Sequence, residues 1–215
     1  MEGFLMEKNI SSNHVYLAGH VVSGPVFSHR TYGEEFYMVT LGILRKSGYE
    51  DRIRMIVSER LMGGRCPETG EFLEIQGQIR TYNREECGRN RLDVTVFVQE
   101  LCYCGSSIFE YENRASLDGF ICKEPVRRTS PLGREICDLM IAVNRMYNKS
   151  DYIPSIAWGR NAVYGSGLCV GDRIYAEGRL QSREYRKYDE EGNLTVRTAY
   201  EVSISRPLRM SWQEM

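Results

Sequence analysis

The chain has 215 residues, 42% hydrophobic and 27% charged, and its 28 lysines and arginines against 29 acids leave a formal net charge of −1. That composition is that of a soluble globular protein, and no apolar run approaches the roughly 20 residues a helix needs to cross a bilayer. A near-zero net charge excludes a global pull toward polyanions, so any affinity for nucleic acid must come from a local groove.

In chain order, residues 1–12 carry acids and lack the basic start, longer apolar stretch and small-residue cleavage site of a secretory signal. They read as an N-terminal arm on a cytoplasmic protein. From Asn13 a pattern begins that returns one hundred positions later: Asn13 with Asn113, Leu17 with Leu117, Gly19 with Gly119, Pro25 with Pro125. It runs on through Arg45 and Arg145, Asp51 and Asp151, Ile53 and Ile153, and Arg60 and Arg160, and then slips by one residue, so that Gly77 matches Gly178. A match of this length predicts two copies of one domain, over 13–102 and 113–210, joined by a linker over 103–112.

Within the second copy, alternation of apolar and polar residues predicts strands over Ala115 to Cys122, Ile136 to Arg145, Tyr152 to Trp158, Arg173 to Ser182 and Val196 to Ser205. Residues 160–168 suit a short helix that Gly165 and Gly167 limit. Turns are expected at EPVRRTSPLG, where Pro125, Pro131 and Gly133 punctuate, and at YDEEGN, the tip of a hairpin. Gly119 and Gly178 fall inside strands, where a missing side chain permits the bends that close a small barrel. The expected fold is therefore all-β: two tandem five-stranded OB-fold barrels, each with a short helix between strands three and four.

In DYIPSIAW, alternation puts Ile153 and Ala157 on one face and Tyr152 and Trp158 on the other. In IYAEGRLQSREY, Ile174, Ala176, Gly178 and Leu180 form the apolar face, and Arg179, Arg183 and Tyr185 share the polar one. Tyr147 ends the second strand and Tyr185 opens the loop between the last two; Arg145 and Arg160 lie nearby in sequence. Rings interleaved with guanidinium groups suit stacked bases and phosphates.

The second copy resembles the bacterial single-stranded DNA-binding (SSB) protein family over LDGFICKEPVRRTSPLG, the AVNR strand, DYIPSIAWGRNAV, GDRIYAEGRLQSREY and TAYEVSIS. The resemblance implies that Tyr147, Tyr152, Trp158 and Tyr185 stack on bases and that Arg128, Arg160 and Arg183 approach phosphates. It also implies sequence-neutral binding of single-stranded DNA in replication, recombination or repair, and a homodimer whose four domains match the family's usual tetramer of one-domain chains. Single-stranded RNA stands beside DNA as a ligand. The family's acidic, Phe-ended tip has no counterpart in PLRMSWQEM.

The first copy places Ser47, Arg52, Ser58 and Arg84 where the second has its four rings, so its binding face is expected to be degenerate. That favours the alternative of a primosome-like or mobile-element adaptor, with the first domain serving assembly. No cofactor, metal site or enzymatic activity is expected. The three histidines fall in the first copy without a base and its orienter, and the seven scattered cysteines read as reduced thiols.

Overall fold

A computed structural model describes residues 12–86, 89–105, 110–130, 132–146, 148–188, 192 and 194–206. In the first copy, β1 (Asn13–Thr31), β2 (Glu34–Leu44), β3 (Glu50–Ser58), β4 (Phe72–Glu86) and β5 (Arg89–Tyr103) form a closed ring. The strands pair antiparallel as β2–β1–β4–β5 and β2–β3, and the parallel contact of β3 with β5, at Met55↔Val96 and Ile56↔Phe97, closes it. Alternation builds the interior: Val15, Leu17, Leu41, Ile53, Met55, Ile75, Ile79 and Val96 all point in and are buried.

The second copy repeats the ring with β6 (Glu112–Ile121), β8 (Glu135–Arg145), β9 (Lys149–Trp158), β10 (Arg173–Tyr188) and β11 (Leu194–Ile204). Here β9 and β11 make the parallel closure, Val202↔Ser155 to Ile204↔Ala157. Between the third and fourth strands of each ring lies a short helix, α1 (Glu59–Met62) and α2 (Arg160–Gly165). Ser58 caps α1 by accepting the Leu61 amide at 3.3 Å, and Gly63, at φ 63°, ends it. Met62 from α1 and Ala162 from α2 each plug an end of a barrel.

Two expectations change. The EPVRRTSPLG stretch is not all turn: Val126–Thr129 forms β7, paired antiparallel with β8 from Val126↔Asp138 to Thr129↔Glu135. Pro125 does not prevent this because β7 is an edge, where a missing amide on the open side costs nothing. In the first copy the same segment stays within β1, and the register shift between Ser23 and Val26 absorbs Pro25. Second, Tyr185 lies well inside β10, opposite Arg197, because β10 and β11 stay paired as a long ribbon from Gly178↔Ile204 to Tyr188↔Leu194. Most of the YDEEGN tip lies outside the described residues.

The two rings are not beads on a string. β1 pairs antiparallel with β6, and Val15 faces Ala115, its own counterpart in the repeat. The ladder is therefore symmetric about that pair, and a pseudo-two-fold axis passes through it. Among the described residues the eleven strands form one sheet, and one apolar cluster draws residues from both rings.

Candidate nucleic-acid interface

Strand β9 carries the central side chains. Asp151, Ile153, Ser155 and Ala157 face inward and are buried, whereas Tyr152 and Trp158 stand on the outer face, 49% and 36% exposed. Ile156 between them is buried and floors the surface. The Trp158 indole Nε1 donates to Ser203 Oγ on β11 at 3.1 Å, which fixes one edge of the ring and leaves the rest uncovered. Across the sheet Arg128 on β7 faces Ile136, which faces Trp158. This row places the Arg128 and Trp158 backbones about 10 Å apart, two strand spacings.

On β10, Arg183 and Tyr185 share the exposed face, with the Arg183 guanidinium carbon 6.0 Å from the Tyr185 ring centroid. Arg160 is the first residue of α2 and is exposed. Neither Arg160 nor Arg183 has an acidic partner among the described residues. Arg128 has one: Nε and Nη2 reach Asp138 at 2.5 and 2.9 Å, and that hydrogen bonding raises its pKa. Arg145 also has one, its Nη1 lying 3.6 Å from the fully buried Asp151, so it sits at the junction between the barrels. Tyr147 lies outside the described residues. The structure thus brings Tyr152, Trp158, Arg128, Arg160, Arg183 and Tyr185 onto the outer surface of one barrel.

The equivalent face of the first barrel differs in its acids as much as in its rings. Arg52 pairs with Glu50 at 2.8 Å, Arg54 and Arg84 both reach the buried Asp93 at 3.2 Å, and Arg60 pairs with Glu34 at 3.6 Å. In the second copy the positions of Glu50, Asp93 and Glu34 hold Ser150, Ala199 and Arg134. Register shows the exchange directly, since Tyr82 faces Asp93 and its counterpart Arg183 faces Ala199. The repeat carried this signal in its acidic positions, which a comparison of aromatic positions alone passes over. Some rings of the first barrel cover one another, His29 stacking on Phe36 at 4.9 Å and Phe36 meeting Phe97 at 5.9 Å so that Phe36 is buried, while Tyr82, at the position of Arg183, stands 46% exposed.

A surface of this kind can stack flat, unpaired bases on its rings and hold phosphates with guanidinium groups that no carboxylate neutralises. Comparison with known proteins agrees in region and in fold. Residues 112–210 match the model of the Single-strand binding protein family. The single-stranded DNA-binding protein of Thermus aquaticus is 22% identical over 92% of this chain and 85% of its own length. Single-stranded DNA-binding protein 1 of Staphylococcus aureus is 32% identical over 36% of this chain and 50% of its own. The crystal structure of the wild-type Thermus aquaticus protein superposes with a TM-score of 0.72 at 21% identity, covering 94% of each chain, which shows the shared tandem fold.

Proposed function

From its membership of the single-strand binding protein family, which residues 112–210 carry, we propose that this chain binds single-stranded DNA without regard to sequence, through the outer face of its second barrel. Trp158 and Tyr152 stack on bases, with Tyr185 extending the platform along the β10–β11 ribbon; Arg160 and Arg183 contact phosphates, and Arg128 does so in exchange with Asp138. The observation that carries the reading is the pair of outward rings on β9, exposed beside arginines that lack acidic partners.

Each base stacked on a ring contributes roughly 1–3 kcal/mol, and every base has a π-face, so the binding is sequence-neutral. Duplex DNA keeps its base faces covered, which gives the preference for open strands. Replication, recombination and repair are the settings that expose such strands, and a dimer of this chain would present four barrels. Trp158→Ala is expected to weaken binding to oligo-dT by about 1–3 kcal/mol in anisotropy titrations while the melting curve is unchanged. A folded variant with wild-type affinity would remove Trp158 from the interface. Parallel titrations with oligo-rU and duplex DNA separate a general single-strand binder from a DNA-selective one.

One observation favours a second role for the first barrel, that of an adaptor in a larger assembly. Arg52, Arg54, Arg60 and Arg84 are neutralised in place, and Val26 and Phe27 stand 65% and 56% exposed on β1. Gel filtration with and without oligonucleotide tests whether this barrel associates independently of DNA.

A further inference from the structure

Both strands that carry the proposed ligand side chains are gripped by the first barrel, at or next to those side chains. On β9 the Tyr152 amide donates to Thr81 Oγ1 of β4 at 2.8 Å. The Thr81 amide returns a hydrogen bond to Asp151 Oδ1 at 2.8 Å, and Arg80 Nη1 reaches Asp151 Oδ2 at 3.0 Å. On β10 the Ser182 amide donates to Asp51 Oδ1 of β3 at 2.8 Å, and the Ser182 hydroxyl accepts the Arg52 amide at 2.8 Å. Arg183 is the next residue.

Thr81 and Ser182 are equivalent in the repeat, as are Asp51 and Asp151, so one clamp is used twice across the pseudo-two-fold axis. All four residues are buried, the aspartates completely. The clamp answers a need of the backbone. β9 pairs with β11 only from Ser155 to Ala157, so the ladder on that side has ended before Tyr152, and its amide finds Thr81 instead. A ring on a strand fixed along both sides loses less freedom when a base stacks on it, and that preorganisation appears as affinity.

From this juxtaposition we propose that the first barrel is a positioning domain for the second barrel's stacking face, with Thr81 the positioning residue for Tyr152 and Asp51, which accepts the Ser182 amide, the one for Arg183. The proposal rests on the reading of Tyr152 and Arg183 as ligand side chains. It gives the first barrel a part in binding DNA through the strands it holds.

The test is a set of anisotropy titrations of labelled oligo-dT on the full chain carrying Thr81→Val, Thr81→Ser, Tyr152→Ala, and Thr81→Val with Tyr152→Ala. Valine keeps the branched shape and the backbone amide but removes the acceptor. Thr81→Val is expected to weaken binding by about three- to tenfold, the worth of one hydrogen bond. Thr81→Ser, which restores the acceptor, is expected to bind as wild type, and Thr81→Val is expected to add nothing once Tyr152 is alanine. Wild-type affinity of Thr81→Val, failure of serine to rescue, or an equal loss in both backgrounds would each overturn the proposal. If Tyr152→Ala alone binds as wild type, the stacking reading of Tyr152 fails and the role of Thr81 goes with it, a result recognisable because the clamp is then intact. Should Thr81→Val fail to fold, Thr81→Ala against Thr81→Ser, in the wild-type and Tyr152→Ala backgrounds, decides by the same pattern.

Discussion

At position 199 an alanine stands where the first barrel has Asp93, and that exchange decides what Arg183 can do. An arginine held by a buried carboxylate has already made its strongest contacts, and moving it to a phosphate strands the acid. Facing Ala199, Arg183 gives up no such partner and keeps only a ring contact with Tyr185, which a phosphate need not disturb. The same holds for Arg160, whose counterpart Arg60 has Glu34 beside it while Arg160 has Arg134 at the equivalent position. Phosphate contacts release bound cations, so each one steepens the fall of affinity with salt. Arg183→Gln and Arg160→Gln are each expected to lower the slope of log affinity against log salt by about one, measured with oligo-dT. Arg52→Gln, which removes a side chain already paired with Glu50, should leave the slope alone. An equal drop for all three would show that the acids of the first barrel do not hold its arginines out of reach.

The β10–β11 ribbon depends on a glycine. A Cβ on Gly178 would lie 2.1 Å from Ser203 O, and one on its counterpart Gly77 would lie 2.3 Å from Phe97 O. Each glycine lets the ribbon cross the end of its partner strand at the point where the barrel bends shut. Gly178→Ala is expected to destabilise the fold by about 1–3 kcal/mol, as overpacking does elsewhere, and urea melts would read it. An unchanged midpoint would mean that the strands part there without cost. This requirement was legible in the sequence, because a glycine inside an alternating apolar run has few other uses. So were the five strands of each copy and the outward side of Tyr152 and Trp158, since those depend on period alone. What was not legible depends on partners far away in the chain. β7 is a strand because β8 offers it an edge, Arg145 lies at the junction because Asp151 is buried there, and Thr81 meets Tyr152 only once both barrels have folded. The extra length of the ribbon around Tyr185 came from pairing with Arg197, across a turn whose residues read as loop.

The whole molecule is a dimer interface built into one chain. β6 has β1 on one side through residues 112–117 and β10 on the other, so without the first barrel it would present an unpaired edge, a template for aggregation. The shared sheet, the common apolar cluster and the two buried aspartate clamps all cross the same boundary. Unfolding one barrel would therefore expose Val15, Leu17, Ala115 and Leu117 together and leave Asp51 or Asp151 without the amide from the other side. Exposing that apolar surface and losing the hydrogen bonds across the boundary fall together on any half-folded state, which is therefore suppressed. The expected consequence is a single calorimetric transition in which the calorimetric and van't Hoff enthalpies agree, despite a length at which two domains would ordinarily melt apart. Asp151→Asn keeps the shape but removes the charge facing Arg80 and Arg145, and it should lower the melting temperature of the whole transition without splitting it. Two resolved transitions in the unaltered chain would show that the barrels are independent, and the first could not then set the strands of the second.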